Sequence, residues 1–186
     1  ELLSLSLKTI SLGLVTSFIA VIFSLILSLA NRKNKNLFLK FITYPAGIGY
    51  AIPGSVLAIT LVTISSSRFT LISVCLLIWG YVIRFLTISK GSIDSALERI
   101  SPTLDEAANG LGSNWFDIIR RIHLPLLKGP IFVGSLLVFV DTIKELPISF
   151  IYRPLDFDTL SVRIYQYAVD ERIAEAILPV LTIIIL

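Results

Sequence analysis

Methionine is absent from the 186 residues, and cysteine and histidine occur once each, at Cys75 and His123. Without a methionine, Glu1 is not an initiator, and the segment is expected to be a piece of a longer protein. A lone cysteine inside an apolar run closes no internal disulfide and reads as a small apolar side chain. No Cys/His pair stands at a metal-ligand spacing, so no metal site is expected, and His123 reads as a polar surface residue. There is no nucleophile set beside a base, no glycine-rich phosphate loop and no Walker pattern. Hence no catalytic residue and no cofactor are expected, and the chain should not hydrolyse ATP. The formal net charge is +3, but no basic stripe with interleaved aromatics is present, which argues against nucleic-acid binding.

What fills the chain is apolar. Hydrophobic residues make up 55% of it and its mean hydropathy is +0.86, far beyond what a soluble domain of this length needs for its core. Thr9 to Ala30 and Phe41 to Ser67 are uncharged runs long enough to cross a hydrocarbon layer of roughly 30 Å. Phe69 to Ile83 is shorter, but Phe85 to Ser89 extends it if Arg84 snorkels to the interface. Gly129 to Tyr152 makes a fourth span, interrupted by Asp141, Lys144 and Glu145, and a fifth begins near Ile173 and is still apolar at Leu186. The first span lacks a small-residue cleavage pattern and is too long for a signal peptide.

Orientation follows from the basic residues. The loop Asn31 to Lys40 holds Arg32, Lys33, Lys35 and Lys40 with no acid, which marks it as cytoplasmic. Strict alternation then puts Ser65 to Arg68 outside, Lys90 to Lys128 inside and Arg153 to about Arg172 outside. The inside segment carries Lys90, Arg99, Arg120, Arg121 and Lys128, so two loops agree.

Two places break the apolar pattern. In Gly47-Ile48-Gly49-Tyr50-Ala51-Ile52-Pro53-Gly54, Pro53 leaves the carbonyl of Gly49 without its helical donor, so a kink or unwound turn is expected. It serves either packing or a hinge that lines a pathway. In the fourth span, each charge costs around 2.5 to 3.5 kcal/mol at the bilayer centre, so Asp141, Lys144 and Glu145 are expected to face a bundle interior or water and to pair. On a continuous helix Asp141 reaches both Lys144 and Glu145. At roughly 1.5 Å per residue from Gly129, Asp141 lies about 18 Å deep, past the midplane toward the outside. Pro147 loosens the helix by freeing the carbonyl of Ile143. The trio is either a structural ion-pair set or, with Gly49 and Pro53, part of a translocation path.

Between the third and fourth spans stands a polar loop. Ser101 can cap a helix with Pro102 at its first position, and Thr103 to Glu106 offers an alternative capping box. Asp105 and Glu106 fall in the first turn, where the helix dipole favours negative charge. Gly110 or Gly112 can end this helix in a left-handed cap. A second helix is expected from Asn114 to about His123, stopped by Pro125. Ala107 and Ala108 carry so little side chain that a partner's groove could approach the backbone.

The run Glu106-Ala107-Ala108-Asn109-Gly110-Leu111-Gly112, then nine residues, then Ile122-His123-Leu124-Pro125, resembles the "EAA" loop of ABC-importer permeases. The resemblance implies that Glu106, Ala107, Ala108, Gly112, Ile122, Leu124 and Pro125 couple the chain to a separate ATP-hydrolysing subunit. Further stretches resemble the ferric-iron (Fbp-type) permeases: Lys144-Glu145-Leu146-Pro147, Arg153-Pro154, Phe157-Asp158-Thr159-Leu160, Asp170-Glu171 and Gly49-Tyr50-Ala51-Ile52-Pro53-Gly54. The likeness covers most of the chain and matches the C-terminal half of a duplicated permease. It implies an all-α, polytopic transmembrane helical bundle of the MetI-like type. One transmembrane domain would cover 1–186, with 90–128 as its cytoplasmic coupling loop.

It further implies a multi-pass protein of the bacterial plasma (inner) membrane. Its partners would be an ABC ATPase subunit, a solute-binding protein on the outer face, a second permease half and membrane lipid. Ferric iron suits the carboxylates Asp141 and Glu145, since hard cations prefer oxygen, although Lys144 beside them would repel a bare cation. Related permeases carry thiamine, polyamines and other small solutes. The competing class is a channel or ion-coupled carrier, in which the intramembrane charges would conduct or couple ions.

Overall fold

The computed structural model describes residues 2–33, 43, 47–65, 70–154 and 157–186. Lys35, Lys40, the beginning of the expected second span, Arg68 and Asp156 lie outside the described residues. Among those described, the chain is helical without strands. In order the helices are α1 (Leu2–Lys33), α2 (Gly54–Ile64), α3 (Thr70–Glu98), α4 (Pro102–Gly110), α5 (Trp115–Ile118), α6 (Leu124–Ile143), α7 (Pro147–Tyr152), α8 (Leu160–Val169) and α9 (Ile173–Ile185). A 3-10 turn covers Gly49–Ala51, and a π turn, Ile119–His123, joins α5 to α6.

Among the described residues, three stretches are long and apolar enough to cross a membrane: Leu2–Lys33, Ile72–Glu98 and Trp115–Ile143. The second and fifth apolar segments form the shorter helices α2 and α9. The long helices α1, α3 and α6 pack pairwise into a three-helix core. Lipid tails are as apolar as leucine, so this core depends on close packing and interhelical hydrogen bonds more than on transfer from water. Small residues supply the closeness. A Cβ on Gly13 would lie 2.7 Å from the Phe139 ring, and one on Gly134 would lie 3.2 Å from the backbone of Ser89. The hydroxyls of Ser24 on α1 and Ser89 on α3 meet at 2.5 Å.

The second and fourth spans depart from unbroken helices. Helix α2 starts only at Gly54, because Pro53 has no amide hydrogen; the freed carbonyl of Gly49 accepts from Ile52 at 3.3 Å within the 3-10 turn. Helix α6 stops at Ile143, and the chain restarts as α7 at Pro147. The carbonyl of Ile143, which Pro147 cannot serve, accepts the Ser161 hydroxyl at 2.6 Å. At each break the carbonyl freed by the proline thus finds a protein donor, as hydrocarbon surroundings demand. The two short helices α2 and α7 pack together, and Tyr152 on α7 donates to the Ser65 hydroxyl just past α2 at 3.1 Å.

The packing also sorts the loops by side. The end of α1 touches the end of α3 and α4 through Arg32. At the other end Leu160, at the start of α8, donates its N–H to Thr9 on α1 at 3.0 Å. Residues 90–128 therefore share a side with the C-terminus of α1, and residues 157–172 lie at the opposite end.

Candidate coupling loop and intramembrane polar site

The start of α4 is built as its local sequence dictates. Ser101 caps it, accepting the Thr103 N–H at 3.3 Å, and Pro102 takes the first helical position. The capping box from Thr103 to Glu106 is not the one used. After Gly110 the chain turns at Gly112, whose φ of +84° is the left-handed conformation that glycine adopts without strain. Asn114 then caps α5 by accepting the Asp117 N–H at 3.0 Å.

Beyond that point the structure corrects two expectations. Pro125 does not end the second helix. The π turn gives Leu124 N–H to Ile119 O, and Pro125 enters at the head of α6, where a missing N–H costs little. The helix therefore runs on into the membrane. His123 is accordingly no surface residue: its side chain is 0% exposed, with Nε2 3.2 Å from Asp105 Oδ1 and the Trp115 ring 5.7 Å away.

This helical pair exposes large apolar side chains among polar ones. Helix α4 buries none of its residues. Leu111 is 88% and Phe116 is 70% exposed, and Leu104 is exposed beside them. Glu106, Ala107, Gly112, Leu124 and Pro125 are exposed as well, while Ala108 and Ile122 are half-buried. Large apolar side chains displayed next to small ones on a polar loop form the kind of surface that a partner covers. The sequence reading missed Leu104, Leu111 and Phe116, although their place inside a charged loop was visible.

The second site lies in the membrane, where the two broken spans meet. Arg84, midway along α3, reaches Glu145 in the break between α6 and α7, with Nη1 3.3 Å from Oε1. This corrects the expected assignment of both residues. Arg84 does not snorkel to an interface, and Glu145 leaves the expected Asp141, Lys144 and Glu145 set for Arg84, because α6 has ended at Ile143 and the helical i,i+4 spacing no longer applies. Among the described residues, Asp141 pairs with Lys144, at 2.6 Å. Glu145 is only 9% exposed, whereas Lys144 is 60% exposed.

Two glycines make room for this cluster. Gly54, at the head of α2, lies against the Arg84 guanidinium, and a Cβ there would also fall 2.6 Å from Glu145 Oε1. Gly49 lies against the Ile83 carbonyl, so a Cβ there would strike the backbone of α3. The Tyr50 N–H donates to the Thr87 hydroxyl at 3.4 Å, and its ring stands 6.3 Å from that of Phe85. The structure thus brings Gly49 and Glu145 to one region through Arg84, with Pro53 setting where α2 begins. Among the described residues, no group of His, Cys, Asp and Glu is arranged to hold a metal ion.

Comparison with known proteins gives a consistent result. Residues 20–186 match the family described as binding-protein-dependent transport system inner membrane component. A curated relative, the Fe(3+)-transport system permease protein FbpB 2 of Haemophilus influenzae, is 27% identical over 129 residues. That alignment covers 68% of this chain and 26% of the relative, so the chain spans only part of that protein's length.

Proposed function

The chain belongs to the family of binding-protein-dependent transport system inner membrane components, and on that premise we propose that it forms half of the translocation path of an ATP-driven importer. A separate ATPase subunit docks on the α4–α5 pair, and a solute-binding protein delivers the solute at the opposite face. A second permease half, on the same chain or on a homologous one, completes the path. The observation that carries the docking role is the rigidly capped helix α4, which buries nothing of its own and displays Leu111 and Phe116 beside Glu106 and Ala107. A helix that lays small and apolar side chains into a partner's groove is a recurring mode of recognition.

Ferric iron is the solute we favour. The relative bears that name, and Asp141 and Glu145 offer oxygen donors suited to a hard cation. Each of these carboxylates already has a cationic partner, Lys144 and Arg84 respectively. Either carboxylate would therefore have to give up that partner before it could hold a bare cation. The experiment is uptake of radioactive ferric iron by the full-length permease, reconstituted with its ATPase and binding protein, compared with its Glu106→Lys variant. Charge reversal at the docking face should abolish uptake and co-purification of the ATPase while the permease stays in the membrane. ATP-driven uptake at the normal rate in that variant overturns the docking assignment, and uptake without any ATPase favours an ion-coupled carrier.

A further inference from the structure

The contacts beneath α4 go beyond what docking requires. Arg32 stands next to the last residue of α1, and among the described residues the hydrogen bonds of its guanidinium reach other segments. Its Nε donates to Asp105 Oδ2 at 2.7 Å, Nη1 to the Leu97 carbonyl at 2.7 Å, and Nη2 to the carbonyls of Ile100 and Ser101 at 3.0 and 3.3 Å. Leu97 lies in the last turn of α3 and Ile100 just past it, and the Leu97 carbonyl also accepts the Ile100 N–H at 3.1 Å. One planar fork thus joins α1, the end of α3 and the first turn of α4.

The neighbouring contacts extend the joint to α5. Lys33 stands 5.7 Å from the Trp115 ring, which packs on buried His123, whose Nε2 faces the other oxygen of Asp105 at 3.2 Å. Helix α4 has only nine residues and no buried side chain of its own, so neither intrinsic helicity nor a core fixes its direction. Its orientation comes from this joint. At its far end α1 is tied to α8 through Thr9 and Leu160, and midway to α3 through Ser24 and Ser89.

We propose that Arg32 is a positioning residue that makes α4 and α5 move as one body with α1, so that α1 carries displacement between the docking face and the opposite end of the bundle. The idea rests on the coupling role assigned above to α4, but the joint itself can be measured apart from it. Lysine cannot substitute, because a single ammonium lacks the fork that reaches a carboxylate and several carbonyls at once.

The test uses the full-length permease in lipid nanodiscs with Cys75 replaced by Ala. Spin labels go on cysteines at Ile26 of α1 and Asn109 of α4, both exposed. Electron paramagnetic resonance should give a narrow distance distribution for the parent protein and a broadened one for both Arg32→Gln and Arg32→Lys. In the reconstituted importer, Arg32→Gln should keep its bound ATPase and basal hydrolysis. Stimulation by loaded binding protein, and uptake per ATP hydrolysed, should fall about tenfold, the scale of one lost charged hydrogen bond. An unchanged distance distribution overturns the proposal, and so does a proportional fall in uptake and hydrolysis, which marks a merely structural role. Should the unaltered permease bind no ATPase, the coupling reading falls, and the distance measurement alone decides whether Arg32 orients α4.

Discussion

The pair Arg84–Glu145 should behave as a coupled unit whose halves cannot be removed singly without cost. At 3.3 Å and an effective dielectric of about 20, the gross attraction is about 5 kcal/mol. Desolvation of both ions offsets much of it, and Arg84, at 17% exposed, keeps some access to polar surroundings. A net coupling of about 2 kcal/mol remains as the expected value. Glu145→Gln leaves a guanidinium unpaired within the bundle, and Arg84→Met leaves a carboxylate in the same position, so each single change should cost about 3 kcal/mol.

The double variant removes both charges together. It should therefore be clearly more stable than the sum of the two single losses predicts. Denaturation of the purified full-length permease in mixed micelles, carried out for all four members of the cycle, gives the coupling directly. Additivity within about 0.5 kcal/mol would refute the reasoning, since independent sites add to that accuracy. It would mean that the pair does not hold the two broken helices together.

Three further outcomes are expected. Asp141→Lys combined with Lys144→Asp should leave the amount of folded protein nearly unchanged, because a pair with Lys144 60% exposed contributes at most about 1 kcal/mol, yet should cut uptake sharply; near-normal uptake in proteoliposomes would return the pair to a purely structural role. Gly49→Ala should reduce membrane-inserted protein more than Gly54→Ala, since the added methyl meets the Ile83 backbone in the first case and the movable end of Arg84 in the second, and equal yields on immunoblots would contradict this. With Cys75 replaced by Ala, a cysteine at Ser113 should resist an impermeant thiol reagent added outside, while one at Asp170 reacts; the opposite labelling overturns the orientation.

Much of the site was legible because its determinants are local. Ser101 with Pro102, Gly112 and Asn114 each act within a few residues, and the structure uses all of them. The unwound turn before Pro53 and the carbonyl freed by Pro147 were likewise readable from one missing amide hydrogen. What the sequence hid were partners across long separations. Nothing near Ile143 announces that Ser161 will satisfy its carbonyl, and nothing near Arg84 names Glu145. Two of the corrections concern where helices begin and end. A helix was expected to stop at Pro125 and to continue past Lys144, whereas the π turn carries it through the first and Pro147 ends it before the second. His123, expected at the surface, is buried against Asp105 and Trp115, and Glu145, expected within reach of Asp141, meets Arg84 instead.

The two broken spans are better understood as one device than as two. Glu145 stands just before α7 and against Gly54, the first residue of α2. Its carboxylate thus lies where the positive ends of two helix dipoles converge, a placement that favours negative charge. Arg84 balances that charge from the continuous helix α3, which does not break at this level. Helices α2 and α7 also pack on each other and are joined by Tyr152 and Ser65 at their far ends. They are therefore fixed together at both ends, so a displacement of either carries the other. If the proposed path runs here, a movement that opened it would have to separate both from Arg84 at once, so the ion pair, rather than either proline, is expected to set the resistance of this region to opening.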